Sequence, residues 1–207
     1  PIGGTPEFLS GSMVRVKGYA LGNTFLASAN PSDTNFVSPP TNSIVATGNQ
    51  KTLFVLLKFL DSPAPPFSKE QARQFFFSGQ FKKFFDEASY GKISWSGDVT
   101  DWYTLPRNAQ AGDSTCSIPS IDEVYNAVKN DFSIKDYPRI VLLYNHPNCG
   151  GGWGTVGPVY NYLPNGSFFW ASIGWIGLAN YNGMWGNHPF EWKDLDFVLS
   201  HEIGHNL

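Results

Sequence analysis

Apolar positions along the chain predict several strands of a buried sheet. The stretch "KTLFVLLKFLD" (51–61) is almost continuously apolar, and so is "YPRIVLLYN" (137–145). Runs of this kind are typical of strands that are covered on both faces. In "YGKISWSGDVTDWY", Ile93, Trp95 and Val99 alternate with polar residues, which indicates a further strand.

Helical spacing appears between and after these strands. Ser68 and Gln71 fit a capping box that opens a helix, and "QFKKFFDEAS" (80–89) predicts a second helical segment. In "SIPSIDEVYNAVKNDF" the apolar residues recur at helical intervals, with Ser120 or Asp122 near the start of the predicted helix. Strands and helices therefore mix in an α/β or α+β domain.

The residues before Gln50 follow a different pattern. "MVRVKGYALGNTFLAS" (13–28) predicts two short strands around the turn "LGN", and 29–50 has the Pro, Ser, Thr and Asn content of a linker. We therefore predict a small β segment and linker at 1–50 and the main domain at 51–207. Because the start lacks both Met and an apolar signal region, and the sequence stops within "HEIGHNL" (201–207), we expect a fragment cut at both ends, with 1–12 a propeptide remnant or a tag.

Composition excludes two classes of partner. The 207 residues are 42% hydrophobic and carry a net charge of −3, so a sizeable core is possible and the basic surface that nucleic acid requires is not expected. The longest apolar run, Leu53 to Leu60, is interrupted by Lys58 and is shorter than the roughly 20 residues of a membrane span.

The glycine-rich stretch "HPNCGGGWGTVG" (146–157) is predicted to be a loop. It lacks the glycine spacing of nucleotide-binding loops. The aromatic segment 158–192 is predicted to contain strands and loops, and we expect Trp170, Trp175 and Trp185 to pack in the core, with a substrate cleft as the alternative.

The final segment, "KDLDFVLSHEIGHNL" (193–207), carries the candidate chemistry. On a helix, with Asp194 and Asp196 expected near its N-terminus, His201 and His205 would lie one turn apart, opposite an apolar face of Leu195, Leu199 and Ile203. Two imidazoles at this spacing can bind one zinc ion. Glu202 could then act as general base on a water whose pKa the zinc lowers toward about 7.

Other polar residues show no such pattern. His146 and His188 have no partner at ligand spacing, and we interpret both as structural or solvated. The remaining acidic residues are interpreted as surface charges or turn caps: Asp61, Asp86, Glu87, Asp98 and Asp101. Cys116 and Cys149 could form one disulfide of an exported protein, or could be buried free thiols.

"HEIGHNL" (201–207) resembles the beginning of the metzincin signature HExxHxxGxxH. The rest of 51–207 resembles the gametolysin family of secreted zinc peptidases, notably in "FDEASYGKISWSGDVTDWYTL" and "DYPRIVLLYNHPNCGGGWGTVG". The adamalysins share "HEIGHNL", which a glycine follows in that family. They do not share the two longer stretches.

The resemblance implies a metzincin-like catalytic subdomain with a mostly parallel twisted sheet and an active-site helix. It implies a secreted, monomeric zinc endopeptidase that cleaves extracellular or cell-wall proteins, with His201 and His205 as ligands and Glu202 as general base. It also implies a Cys116–Cys149 disulfide and a third ligand beyond Leu207. The alternatives are an adamalysin-like metzincin and an inactive binding or structural module on the same scaffold.

Overall fold

The computed structural model describes residues 13–22, 24–28, 34–38, 46–109, 118–147, 150–178 and 191–207. The chain divides into two compact units, Pro1–Ser43 (unit 1) and Ile44–Leu207 (unit 2). This division lies N-terminal to the boundary that composition suggests. Gln50, where we placed that boundary, is a buried residue inside the first strand of unit 2.

Unit 1 contains two pairs of antiparallel strands. β2 (Gly18–Leu21) pairs with β3 (Thr24–Ala27), as the "LGN" turn predicts, and Gly22 has the positive φ of +59° that such a turn requires. β1 (Met13–Val16) pairs with β4 (Thr34–Ser38). β4 lies in the segment interpreted as a linker, which therefore contains a strand that pairs with β1.

Unit 2 is built on one mixed, mostly parallel sheet, which confirms the predicted α/β fold class. β6 (Ile93–Thr104), β5 (Gly48–Lys58), β7 (Arg139–Asn145) and β10 (Phe168–Leu178) lie side by side in that order and are parallel. Two short strands then pair antiparallel with β10: β8 (Gly150–Gly154) and β9 (Val159–Tyr162).

Helices cover both faces of this sheet. α3 (Ile121–Val128) packs on one face, against a cluster that contains Leu53, Ile140 and Trp175. α1 (Lys69–Ser78), α2 (Gln80–Ala88) and α4 (Trp192–Asn206) contribute to the cluster on the other face. Because both faces are covered, Leu53 to Leu57 in β5 have no exposed surface, and every residue of β7 is buried.

The predicted helix starts are confirmed in detail. The Ser68 hydroxyl accepts a hydrogen bond from the Gln71 backbone N–H, and the Gln71 side chain accepts one from the Ser68 N–H. Ser120 and Glu123 make the same reciprocal pair at the start of α3. Within the described residues, no helix is long and apolar enough to cross a membrane.

Candidate metal centre

α4 presents two histidines on its exposed side. Leu195, Leu199 and Ile203 form the buried face of this helix, as predicted, and each is at most 4% exposed. His201 and His205 are both exposed. The 3.6-residue period of the helix therefore separates the packing residues from the candidate ligands.

The start of α4 differs from the expectation in one respect. Glu191 is the N-cap residue and Asp194 lies in the first turn. Asp196 lies beyond that turn, where burial raises the pKa of its carboxyl and the Ser200 hydroxyl donates a hydrogen bond to it. Of the two aspartates, only Asp194 is therefore close enough to interact favourably with the helix N-terminus.

The two imidazoles have the spacing of ligands to one ion. The distance from His201 Nε2 to His205 Nε2 is 3.2 Å, and the ring planes are nearly perpendicular, at 87°. Two nitrogens bound tetrahedrally to zinc at about 2.0–2.1 Å would lie about 3.3 Å from each other. The pair thus fits a zinc ion, although the same distance also permits a hydrogen bond between suitable neutral tautomers.

The described residues bring no third ligand to this pair. No group of three His, Cys, Asp or Glu side chains among them could hold a metal ion. His146 is buried at the end of β7, with its ring 5.4 Å from that of Phe59. Four residues that the sequence analysis named lie outside the described residues: Cys116, Cys149, Trp185 and His188. The disulfide between the two cysteines therefore stays a prediction.

Glu202 is half-buried, on the side of α4 that packs against β8. A Cβ atom added to Gly152 would come within 2.5 Å of Glu202 Cγ and 2.8 Å of Val198 Cγ1. At Gly154, an added Cβ would be 2.6 Å from the backbone oxygen of Glu202. These glycines therefore allow the helix and the strand to approach closely, and they pack β8 against the candidate general base.

This arrangement corrects the interpretation of "GGGWG" as loop. Residues 150–154 form an antiparallel strand, with Trp153 opposite Trp175 on β10 at a ring distance of 4.6 Å. The stretch lacks apolar alternation because two of its positions are occupied by glycines that face α4. A high glycine content predicts a loop only where the glycines are not needed for close packing of a strand against another element.

Sequence reasoning also missed a buried polar residue at the C-terminal end of α4. Asn206 is 1% exposed, and its Nδ2 donates to the backbone oxygen of Thr155 at 2.6 Å. The backbone N–H of Gly157 donates to the His205 oxygen at 3.0 Å. In the sequence, the only indication that Asn206 is buried was its position between the candidate ligand His205 and the apolar Leu207.

The other polar candidates have structural partners. Asp61 accepts from the Ala109 N–H, and Asp98 accepts from the hydroxyl of Tyr137. Burial, and then the bond to Asp98, raise the pKa of Tyr137. Lysines pair with Asp86 and Asp101, and Glu87 is exposed.

Two of the three tryptophans can be placed. Trp175 is buried and its indole N–H donates to the Pro119 oxygen, as expected of a core residue. Trp170 is only half-buried, with its ring 4.4 Å from that of Tyr160.

No known protein-family model matches the chain, and no curated protein sequence is significantly similar to it. The metzincin and gametolysin assignments therefore stay predictions from the motifs.

Proposed function

We propose that this chain carries part of the active site of a secreted zinc endopeptidase that resembles the gametolysins. The observation that carries the proposal is the 3.2 Å separation of His201 Nε2 and His205 Nε2 on the exposed side of α4. Glu202, the residue after the first histidine, is half-buried and held beside β8. By its resemblance to the metzincin signature, the chain would have its third zinc ligand after Leu207.

The mechanism uses the residues of α4 in two roles. The histidines would hold zinc, which when bound would act as a Lewis acid and lower the pKa of a water. The carboxylate of Glu202 accepts a proton from the attacking water as the C–O bond to the peptide carbonyl forms. Glu202 then delivers this proton to the amine nitrogen as the C–N bond breaks, so the carboxylate is regenerated.

The proposed substrates are peptide bonds of extracellular or cell-wall proteins, on the basis of the family resemblance. For this chain alone, we expect weak zinc binding and negligible peptidase activity, because only two ligands come together among its described residues.

The decisive variant is Glu202→Gln in a protein that includes the segment after Leu207. It keeps the size of the side chain but cannot accept the proton, so kcat should fall by about 10²- to 10⁴-fold while zinc content is unchanged. Zinc content is measured by atomic emission, and activity on a quenched-fluorescence peptide library.

The control for this variant is Glu87→Gln, which changes an exposed carboxylate on α2 and should leave both readouts unaltered. His201→Ala and His205→Ala should each lower zinc content. Full activity of Glu202→Gln would refute the mechanism, and an absence of zinc in the unchanged protein would favour the inactive binding module.

A further inference from the structure

A buried arginine lies at the C-terminal end of the candidate active-site helix. Arg139, the first residue of β7, is 1% exposed. Its Nε donates to Gln50 Oε1 at 2.8 Å, and its Nη1 donates to Ser172 Oγ at 3.3 Å and to the backbone oxygen of Asn206. All of these partners are neutral. Burial lowers the pKa of Arg139 only to about 10, so the side chain is charged at neutral pH.

The position of this charge has a physical explanation. The last four carbonyl groups of a helix have no partner within the helix, and they form the negative end of its dipole. A guanidinium that donates to the Asn206 oxygen satisfies one of these carbonyls and interacts favourably with the dipole. Arg139 thus caps α4 from the sheet, and it ties the helix end to β5 through Gln50 and to β10 through Ser172.

Asn206 adds a second attachment at the same place. Its side-chain N–H groups donate to the backbone oxygens of Thr155, at 2.6 Å, and Ile173, at 3.4 Å. The backbone oxygen of His205 accepts from Gly157 N–H. The backbone at the second histidine and the residue after it are therefore held by bonds to residues outside the helix.

We propose that Arg139 and Asn206 are positioning residues for the histidine pair. They hold the last turn of α4 so that His205 Nε2 stays at ligand distance from His201 Nε2. This inference rests on the proposed function, since it assigns a purpose to these residues only if the pair binds metal. Outer residues that orient ligands typically change metal affinity by about 10- to 100-fold when they are replaced.

The test is Asn206→Ala, compared with Asn161→Ala as the matched control. Asn161 is also buried, and its side chain also donates to two backbone oxygens, those of Val159 and Ala171, but it lies on β9 and not on α4. Zinc affinity of the 207-residue chain is measured by competition with a chromophoric chelator, and the melting temperature is measured in parallel. The visible spectrum with Co²⁺ alone reports the ligand geometry.

We expect both variants to melt at lower temperature, but only Asn206→Ala to bind zinc about 10-fold more weakly and to alter the Co²⁺ spectrum. Arg139→Lys is a second variant, which keeps the charge but replaces the planar fork with one ammonium group. It should weaken zinc binding in the same direction.

Three outcomes distinguish the two proposals. Weaker zinc binding by Asn206→Ala or Arg139→Lys, with unchanged binding by Asn161→Ala, supports the positioning role. Equal zinc affinity and equal Co²⁺ spectra in all of these proteins would overturn that role and leave the proposed function intact. If the unchanged protein that includes the segment after Leu207 bound zinc no better than its His205→Ala variant does, both proposals would fail.

Discussion

Single residues of β8 determine how closely α4 can approach the sheet. Gly152 and Gly154 face the helix, and an added Cβ at either position would lie under 3.0 Å from atoms of Glu202. Gly174, on the neighbouring strand β10, is different. An added Cβ there would meet Asn206 Oδ1 at 3.7 Å and Val141 Cγ2 at 4.0 Å, which are ordinary contacts.

This contrast predicts different effects of the same substitution. Gly154→Ala should lower the free energy of unfolding by about 1–3 kcal/mol, because the new methyl group would collide with the Glu202 backbone and force the strand or helix to move. Gly174→Ala, the control, should change it by less than about 1 kcal/mol. Urea denaturation monitored by circular dichroism measures both, and equal losses would show that the close approach has no energetic role.

At the scale of elements, the predictable parts of the fold are those with a strong local pattern. β5, β7, α1, α3 and α4 follow from apolar runs, helical spacing and the capping box of Ser68 and Gln71. β8 and β4 could not be predicted, because β8 depends on contact with α4 and β4 depends on pairing with a distant strand.

The candidate site also contains residues that could be predicted from the sequence and residues that could not. His201, Glu202 and His205 are local to one helix, so their spacing was predictable from the motif. Arg139 and Asn206 could not be assigned, because their partners come from β5, from β10 and from Thr155, the residue after β8. An arginine inside an apolar run gives no indication of which helix end it will meet.

The start of α3 gives a prediction about pH. Burial alone would raise the pKa of Glu123, but hydrogen bonds from Arg107, at 2.5 Å, and from the Ser120 backbone N–H outweigh burial, so the pKa is lowered. A carboxyl with a lowered pKa in the folded state contributes stability above its unfolded pKa. This contribution is lost as the pH falls through the folded pKa.

Between roughly pH 5 and pH 3, the unchanged chain should therefore lose more stability than Glu123→Gln, which has no carboxylate to protonate. Chemical denaturation at a series of pH values measures the difference. Glu87→Gln, which alters an exposed side chain, should follow the curve of the unchanged chain. Parallel curves for Glu123→Gln and the unchanged chain would contradict the role of the Arg107 pair.

At the scale of the whole molecule, unit 2 has a hydrophobic core of its own. Among the residues that the structure describes, two hydrophobic clusters are formed from residues between Leu53 and Leu207, on the two faces of the six-stranded sheet. A unit with its own core can fold by itself. The candidate metal centre and the residues that hold α4 also belong to this unit.

We therefore expect a chain limited to 44–207 to unfold in one cooperative transition, with a melting temperature within about 4 °C of the 207-residue chain. It should also retain the zinc affinity of the longer chain. Differential scanning calorimetry and the chelator competition measure these properties. A broad transition, or loss of zinc binding, would show that unit 2 requires the preceding residues.

The two glycines of β8 also differ in how later mutations could compensate for their loss. At Gly152, the obstructing atoms belong to the side chains of Glu202 and Val198, so a methyl group there requires both side chains to move, including that of the candidate general base. At Gly154, the obstructing atom is a backbone oxygen, which every amino acid has. A change at 152 can therefore be accommodated by movement of side chains on α4, at the expense of the position of Glu202, whereas a change at 154 requires the helix itself to be displaced, and His201 and His205 with it.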